Sequence, residues 1–166
     1  MSSVGHLVRR FFGSLRPSEP SASDEAWAIS HLGRGEVVLW RRMSNADRRH
    51  AIGVARRVDV ALRNDASTAV LAAALLHDVG KLDSGLGTFS RVAATVLSAA
   101  FRRERLTRRD NRLARYLRHD EIGAALLTAA GSDPLTVAWA REHHRAPSGW
   151  TLPPDLAAAL KSADDD

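Results

Sequence analysis

The sequence of 166 residues contains no cysteine and no long apolar run. The lack of thiols excludes disulfide bonds, thiolate metal ligands and a cysteine nucleophile. A transmembrane helix is not expected, because no stretch reaches about 18 consecutive apolar residues. Three arginines interrupt the apolar residues near the N-terminus, which argues against a secretory signal: Arg9, Arg10 and Arg16. We therefore expect a cytoplasmic protein without an integral membrane segment.

The alternation of apolar and polar residues that marks a half-buried strand is also missing. Apolar residues recur instead at spacings of three and four, after polar residues that can start helices. This pattern predicts an all-α fold, a single helical bundle of about seven to nine helices. The clearest predicted helix starts are Ser23, Glu36, Ser44, Ser67, Phe89, His119, Asp133 and Pro154.

Two glycines near these helices have predicted structural roles. Gly80 is expected to supply the left-handed turn that closes the helix begun at Ser67. Gly123 follows His119 by four residues and lies on the same helix face. It gives room either for a ligand site or for close packing between helices, and packing is the favoured interpretation.

Lysine is scarce, so arginine supplies nearly all of the positive charge behind the formal net charge of +5. Arginine suits phosphate-bearing partners, although a compositional bias gives the same pattern. An arginine-rich stretch at 102–118 is either a basic rim for a phosphorylated substrate or nucleic acid, or a solvated helix face. The apolar stripe at 4–15 packs on the protein itself or lies on an anionic membrane.

The histidines are the residues that indicate a functional site. Five of the seven histidines, with two aspartates, fall at helix ends or within predicted helices: His50, His77, Asp78, His119, His143, His144 and Asp164. Imidazole and carboxylate together suit divalent Mn, Fe, Co, Ni or Zn. Because these residues come from separate helices, the predicted metal site lies inside the bundle.

Asp78 is the most informative of these residues. It follows the apolar run at 70–76, where a carboxylate is costly unless it is paired or bound to a metal. Its two oxygens could bridge two ions. The alternative is that His77 and Asp78 only cap the helix end and satisfy the backbone groups of Gly80 and Lys81.

Five segments, taken in order, resemble the HD phosphohydrolase superfamily: RRHAIGVARRV, AALLHDVGK, RHDEIGAALL, EHHR and LKSADD. The HDxGK motif is similar to that of the two-metal branch, which includes phosphodiesterases of the HD-GYP and HDIG types. The chain lacks the GYP signature, so cyclic di-GMP is not the expected substrate. The resemblance divides the chain into N-terminal helices at 1–46, packed on the core, and an HD domain at 47–166.

The resemblance implies a helical bundle around two divalent metal ions. One ion would be held by His50, His77, Asp78 and Asp164. The second would be held by Asp78, His119 and His143, with His144 as a possible additional ligand. Asp165 or Asp166 could replace Asp164. Asp78 and Lys81 would be catalytic, and Lys81 and Arg145 would bind the substrate phosphate.

The implied function is a metal-dependent phosphohydrolase or phosphodiesterase. It would hydrolyse a nucleotide or cyclic-dinucleotide-like phosphoester through a metal-activated water. The expected partner is a phosphorylated small molecule of the nucleotide type, and nucleic acid stays open. The alternative is a non-catalytic HD-type module that binds a metal or nucleotide, or that signals.

Overall fold

The structure is a computed structural model that describes residues 18–84 and 118–166. Within these ranges all regular structure is helical, which confirms the all-α prediction. The helices are α1 (Ala22–Ser30), α2 (Arg34–Arg42), α3 (Asn45–Ala61), α4 (Thr68–Leu76), α5 (His119–Ala130), α6 (Pro134–Glu142) and α7 (Pro154–Asp165), with 3₁₀ helices at Val79–Ser84 and Pro147–Gly149. The apolar stripe at 4–15, the predicted helix at 89–101 and the arginine-rich stretch before Arg118 lie outside the described residues.

Side-chain caps explain where several of these helices begin. Ser44 accepts a hydrogen bond from the backbone of Asp47, and Asp133 accepts one from the backbone of Leu135. These caps satisfy amides that have no partner within the helix. Helix α1 begins earlier than predicted, because Ser21 rather than Ser23 accepts from the backbone of Asp24.

Helix α2 also begins earlier than predicted. The Glu36 side chain reaches back to the backbone N–H of Gly33 over 2.8 Å. A glutamate in this position is the second half of a capping box, so the first helical residue is Arg34 and not Glu36.

Helix α4 lies at the centre of the bundle, and every residue from Val70 to Leu76 is buried. It packs against α3 and α6, while α6 packs on α5 and α7 packs on α3. The largest fully buried side chains of the described core are the indoles of Trp40 and Trp139. The end of α4 therefore lies deep among the other helices. The predicted division of the chain between residues 46 and 47 stays a prediction.

Gly80 does not make the left-handed turn that the sequence suggested. Among the described glycines only Gly131 has a positive φ, and Gly80 lies within the 3₁₀ helix that follows α4. The glycine is needed for a different reason: a Cβ on Gly80 would lie 1.8 Å from the carbonyl oxygen of His119 and 2.6 Å from the backbone nitrogen of Gly123. Its missing side chain lets the 3₁₀ helix touch the backbone of α5.

Gly123 lies on the other side of this contact. A Cβ there would lie 3.2 Å from the backbone nitrogen of Gly80 and 3.5 Å from the Val79 side chain. The packing interpretation of Gly123 is therefore correct. Within the described part of the chain, no helix combines the length and apolar character needed to cross a membrane.

Candidate metal centre

The bundle brings together side chains from five of its helices. The candidate ligands lie on α3 (His50), at the end of α4 (His77 and Asp78), at the start of α5 (His119), at the end of α6 (His143 and His144) and in the last turn of α7 (Asp164). Most of them are buried, with exposed fractions of 2% for His77 and 0% for His143. Residues up to 114 positions apart in the sequence thus form one cluster.

Asp78 lies at the centre of this cluster and faces two groups of side chains. Its Oδ1 lies 3.4 Å from Nε2 of His119 and 3.7 Å from Nε2 of His143. Its Oδ2 lies 3.4 Å from Nε2 of His77 and contacts the ammonium group of Lys81. Each carboxylate oxygen therefore belongs to a different side of the cluster.

The second carboxylate, Asp164, completes the side that contains His77. Its Oδ1 lies 3.1 Å from Nε2 of His50 and 3.5 Å from Nε2 of His77. Asp165, the alternative suggested by the sequence, is exposed and pairs with Lys161 over 2.6 Å. Asp164 is thus the acid that α7 presents to the cluster.

Backbone carbonyls orient two of the histidine rings. Nδ1 of His77 donates to the carbonyl of Ala74 over 2.9 Å, and Nδ1 of His143 donates to the carbonyl of Ala140 over 3.1 Å. Nε2 of each ring then points into the cluster. Both Nε2 atoms are buried without a hydrogen-bond partner among the described residues, as is Oδ1 of Asp78. Metal-bound histidines usually have this arrangement, with the outer nitrogen held by a carbonyl.

The two carboxylates are held in their charged form. Burial works to raise the pKa of Asp78, but the neighbouring charges of Lys81 and His77 hold it well below its usual range. Burial likewise opposes the charge on Asp164, but its hydrogen bond with His50 and the nearby charge of His77 outweigh burial and lower its pKa. Charged carboxylates are the form that binds a cation.

The two buried histidines differ in charge. Burial opposes protonation of His77, but Asp78 and Asp164 outweigh it and raise the pKa of His77 to about 10. Burial lowers the pKa of His143, helped by the charge on His77 and opposed by Asp78. His143 is therefore neutral, with a lone pair on Nε2. The proton on His77 occupies the position that a cation would take.

The spacing of these donor atoms fits divalent metal ions. The candidate ligands form two groups, and within each group all ligand atoms lie within 4.8 Å of one another. The first group is His50, His77 and Asp78, and the second is Asp78, His119, His143 and His144. Neighbouring donors around one ion bound at about 2.1 Å lie about 3.0–3.4 Å apart. The distances of 3.1–3.7 Å around the two carboxylates are close to this range. The buried atoms without partners and the donor chemistry thus both fit bound metal.

The remaining predicted residues are His144 and Arg145, which follow His143 at the end of α6. His144 is exposed, and its Nε2 lies 3.0 Å from Nε2 of His119. Partial desolvation of the ring by the surrounding protein atoms, together with the nearby His143 and His119, lowers the pKa of His144. Arg145 is also exposed, and its aliphatic chain lies over Gly149. Among the described residues no hydrogen bond or ion pair joins the Arg145 guanidinium to the cluster.

The sequence did not reveal the part that Glu142 plays beside His143. Glu142 is buried, and its carboxylate accepts hydrogen bonds from the backbone N–H and the hydroxyl of Thr151 over 2.7 and 2.9 Å. These bonds fasten the loop after α6 directly behind the histidine pair. The acid is visible in the EHHR motif, but its partner, nine residues further on, is not marked by any local pattern.

The metal-free protein is expected to lose stability as the pH rises from 6.5 to about 10. Because folding raises the pKa of His77, its contribution is complete below pH 6.5 and is lost as the pH passes through the folded pKa. Thermal unfolding of the metal-free chain across this range measures the effect. The His77→Gln variant should show a flatter profile, and identical profiles for variant and wild type would refute the assignment.

The comparisons with known proteins agree with this geometry. The family model of the HD domain matches residues 48–165, well over half of the chain. Searches of curated proteins and of solved structures gave no match. The match begins just before His50 and includes every candidate ligand of the cluster. The chain therefore belongs to the HD domain family, which places it in the metal-dependent phosphohydrolase superfamily.

Proposed function

We propose that the protein is a metal-dependent phosphohydrolase that cleaves a phosphoester of the nucleotide or cyclic-dinucleotide type. The observation that carries the proposal is the position of Asp78, whose two oxygens face two separate groups of histidines. A carboxylate so placed can join two ions, and two close ions are the usual arrangement for in-line displacement at phosphorus.

The ligand sets that we propose are those implied by the family resemblance, and the distances within the cluster support them. One ion would be held by His50, His77, Asp78 and Asp164. The second would be held by Asp78, His119 and His143, with His144 as a further ligand. When bound, such ions lower the pKa of a water molecule and neutralise charge on phosphoryl oxygens.

The protein's own residues limit how a substrate can approach. His77 and His143 close the site from the inside, because both are buried and their outer nitrogens are bonded to backbone carbonyls. Lys81 is 18% exposed and His144 is exposed, so these two residues mark the part of the cluster that solvent reaches. We propose that the phosphate enters there and that Lys81 moves from Asp78 to a phosphoryl oxygen, where its charge offsets the charge of the transition state.

The Lys81→Ala variant is expected to keep its metal and lose turnover. The ammonium group lies beside a candidate ligand and belongs to neither ligand set, so its loss removes charge from the substrate and not from the ions. One charge-assisted contact in a partly dry site accounts for a fall in kcat of about 100-fold to 1,000-fold. Metal analysis and turnover should be measured on the same samples, with Lys161→Ala as the matched control. Unchanged turnover in Lys81→Ala would remove this residue from the mechanism.

The experiment that tests the proposed function is a substrate screen with Mn²⁺-loaded protein. The panel contains p-nitrophenyl phosphate, bis-p-nitrophenyl phosphate, nucleoside monophosphates, and linear and cyclic dinucleotides. We expect release of phosphate or nucleotide from a member of the panel, lost in Asp78→Ala. Stoichiometric metal without turnover on any phosphoester would instead support a non-catalytic binding module.

A further inference from the structure

We infer that Arg57 is a positioning residue that fixes Asp164 in the cluster and so sets the affinity of one metal site. Asp164 lies in the last turn of α7, at the end of a helix. A metal ligand keeps its position when groups around it orient the segment that carries it. A ligand there needs a device that holds the turn in place.

Arg57 supplies that device from the neighbouring helix. Its Nε donates to the backbone carbonyl of Ala163 over 2.9 Å. This hydrogen bond joins α3 to the turn of α7 that carries the candidate ligand. The guanidinium also places a positive charge at the negative end of the helix dipole. The residue held in this way directly precedes Asp164.

The same face of α3 carries a candidate ligand and the arginine. His50 and Arg57 are seven residues apart, which is two helical turns and therefore one face. Gly53 lies between them on this face, and a Cβ there would lie 3.3 Å from Nη1 of Arg57. The missing side chain leaves room for the guanidinium to lie along the helix. Helix α3 thus carries the His50 imidazole. Through Arg57 it also holds the turn of α7 that carries the opposing carboxylate of Asp164.

The consequence concerns one side of the cluster only. Asp164 lies within 3.5 Å of His50 and His77, whereas His119 and His143 face Oδ1 of Asp78. Releasing the last turn of α7 would move Asp164 and leave the other group in place. The inference rests on the proposed metal centre. It gives a reason why the two ions would bind with different affinities.

The test is a calorimetric titration of the metal-free 166-residue chain with Mn²⁺. Replacing a group that orients a metal ligand typically weakens metal binding about 10-fold to 100-fold. We therefore expect Arg57→Gln to weaken one Mn²⁺ by that factor and to leave the other within about twofold. Arg57→Lys keeps the charge without the planar Nε donor and should fall between wild type and Arg57→Gln. Gly53→Ala, which crowds the guanidinium, should weaken the same ion.

The matched control is Arg56→Gln. Arg56 is the next residue of α3, but it stacks over Trp27 at 3.7 Å and lies 3.5 Å from Asp24. We expect this variant to bind both ions as the wild type does. A double-mutant cycle completes the test: in an Asp164→Asn background, Arg57→Gln should cause no further loss.

Two results would overturn the inference while leaving the metal centre intact. One is that Arg57→Gln binds both ions as tightly as the wild type. The other is that both affinities fall by the same factor together with the melting temperature, which would make Arg57 a structural residue. Failure of the wild type to bind Mn²⁺ would instead overturn the proposed function and this inference with it.

Discussion

Replacing Asp78 with alanine is expected to remove both metal ions and to lower turnover at least about 1,000-fold, since metal-ion catalysis contributes several kcal/mol to the transition state. The reason is that both groups of histidines share this carboxylate. The helical content should be retained, because Asp78 lies just after the last residue of α4 and is not a member of the apolar core that holds the helices together. Elemental analysis, phosphoester turnover and circular dichroism of the same preparation measure the three effects.

The matched control for this variant is Asp165→Ala. Asp165 neighbours the candidate ligand Asp164 but is exposed and pairs with Lys161. This control should keep its metal and its activity, because a surface ion pair contributes little. An Asp78→Ala protein that retains full metal would contradict the bridging position of this carboxylate.

The Gly80→Ala variant is expected to be the most destabilised single substitution near the site. The added methyl group would lie 1.8 Å from the His119 carbonyl oxygen and would force the 3₁₀ helix away from α5. Overpacking against backbone that cannot rotate away costs about 3 kcal/mol or more. Thermal or denaturant unfolding of the metal-free chain measures this loss. Because His119 is moved too, metal binding should weaken as well.

Gly149→Ala is the comparison for this substitution. The nearest described atoms to a Cβ at Gly149 belong to the Arg145 side chain, at 3.4 Å, which is ordinary contact. We expect its melting temperature to change little. If Gly80→Ala unfolds at the same temperature as Gly149→Ala, the close approach between the 3₁₀ helix and α5 is wrong.

Much of the helical architecture could be predicted from local chemistry. Ser44, Ser67 and Asp133 each begin a helix as predicted, because a side chain that accepts from the first turn is a local property of the sequence. Helix starts were predicted at the wrong residue where two nearby residues could both cap the helix. Ser21 acts as the cap in place of Ser23, since its side chain is the one that accepts from the backbone of Asp24.

The need for a partner or metal at Asp78 could be predicted from the sequence, but the grouping of the ligands could not. A carboxylate after a run of buried apolar residues predicts a partner or a metal, and the structure places histidines around Asp78. The grouping into two ligand sets came from the family resemblance. It could not come from spacing, because which oxygen of Asp78 faces which ring depends on how α4, α5 and α6 pack together.

The partners in contacts between distant segments could not be predicted from the sequence. Gly80 was assigned to a turn because glycine commonly ends a helix, but its neighbour is a carbonyl 39 residues away in the chain. Arg57 contacts a carbonyl at the far end of the sequence, 106 residues away, and resembles the other arginines of α3 in its local pattern. Only the packing of α7 on α3 distinguishes it.

The most direct test of the proposed metal centre is the metal content of the purified protein, measured by elemental analysis for wild type beside Asp78→Ala. The protein should be loaded with Mn²⁺ or Fe²⁺ and freed of excess metal before analysis. Two transition-metal ions per wild-type chain, absent from the variant, are the predicted result. No bound metal in either protein after loading would contradict it and would make the buried histidines purely structural.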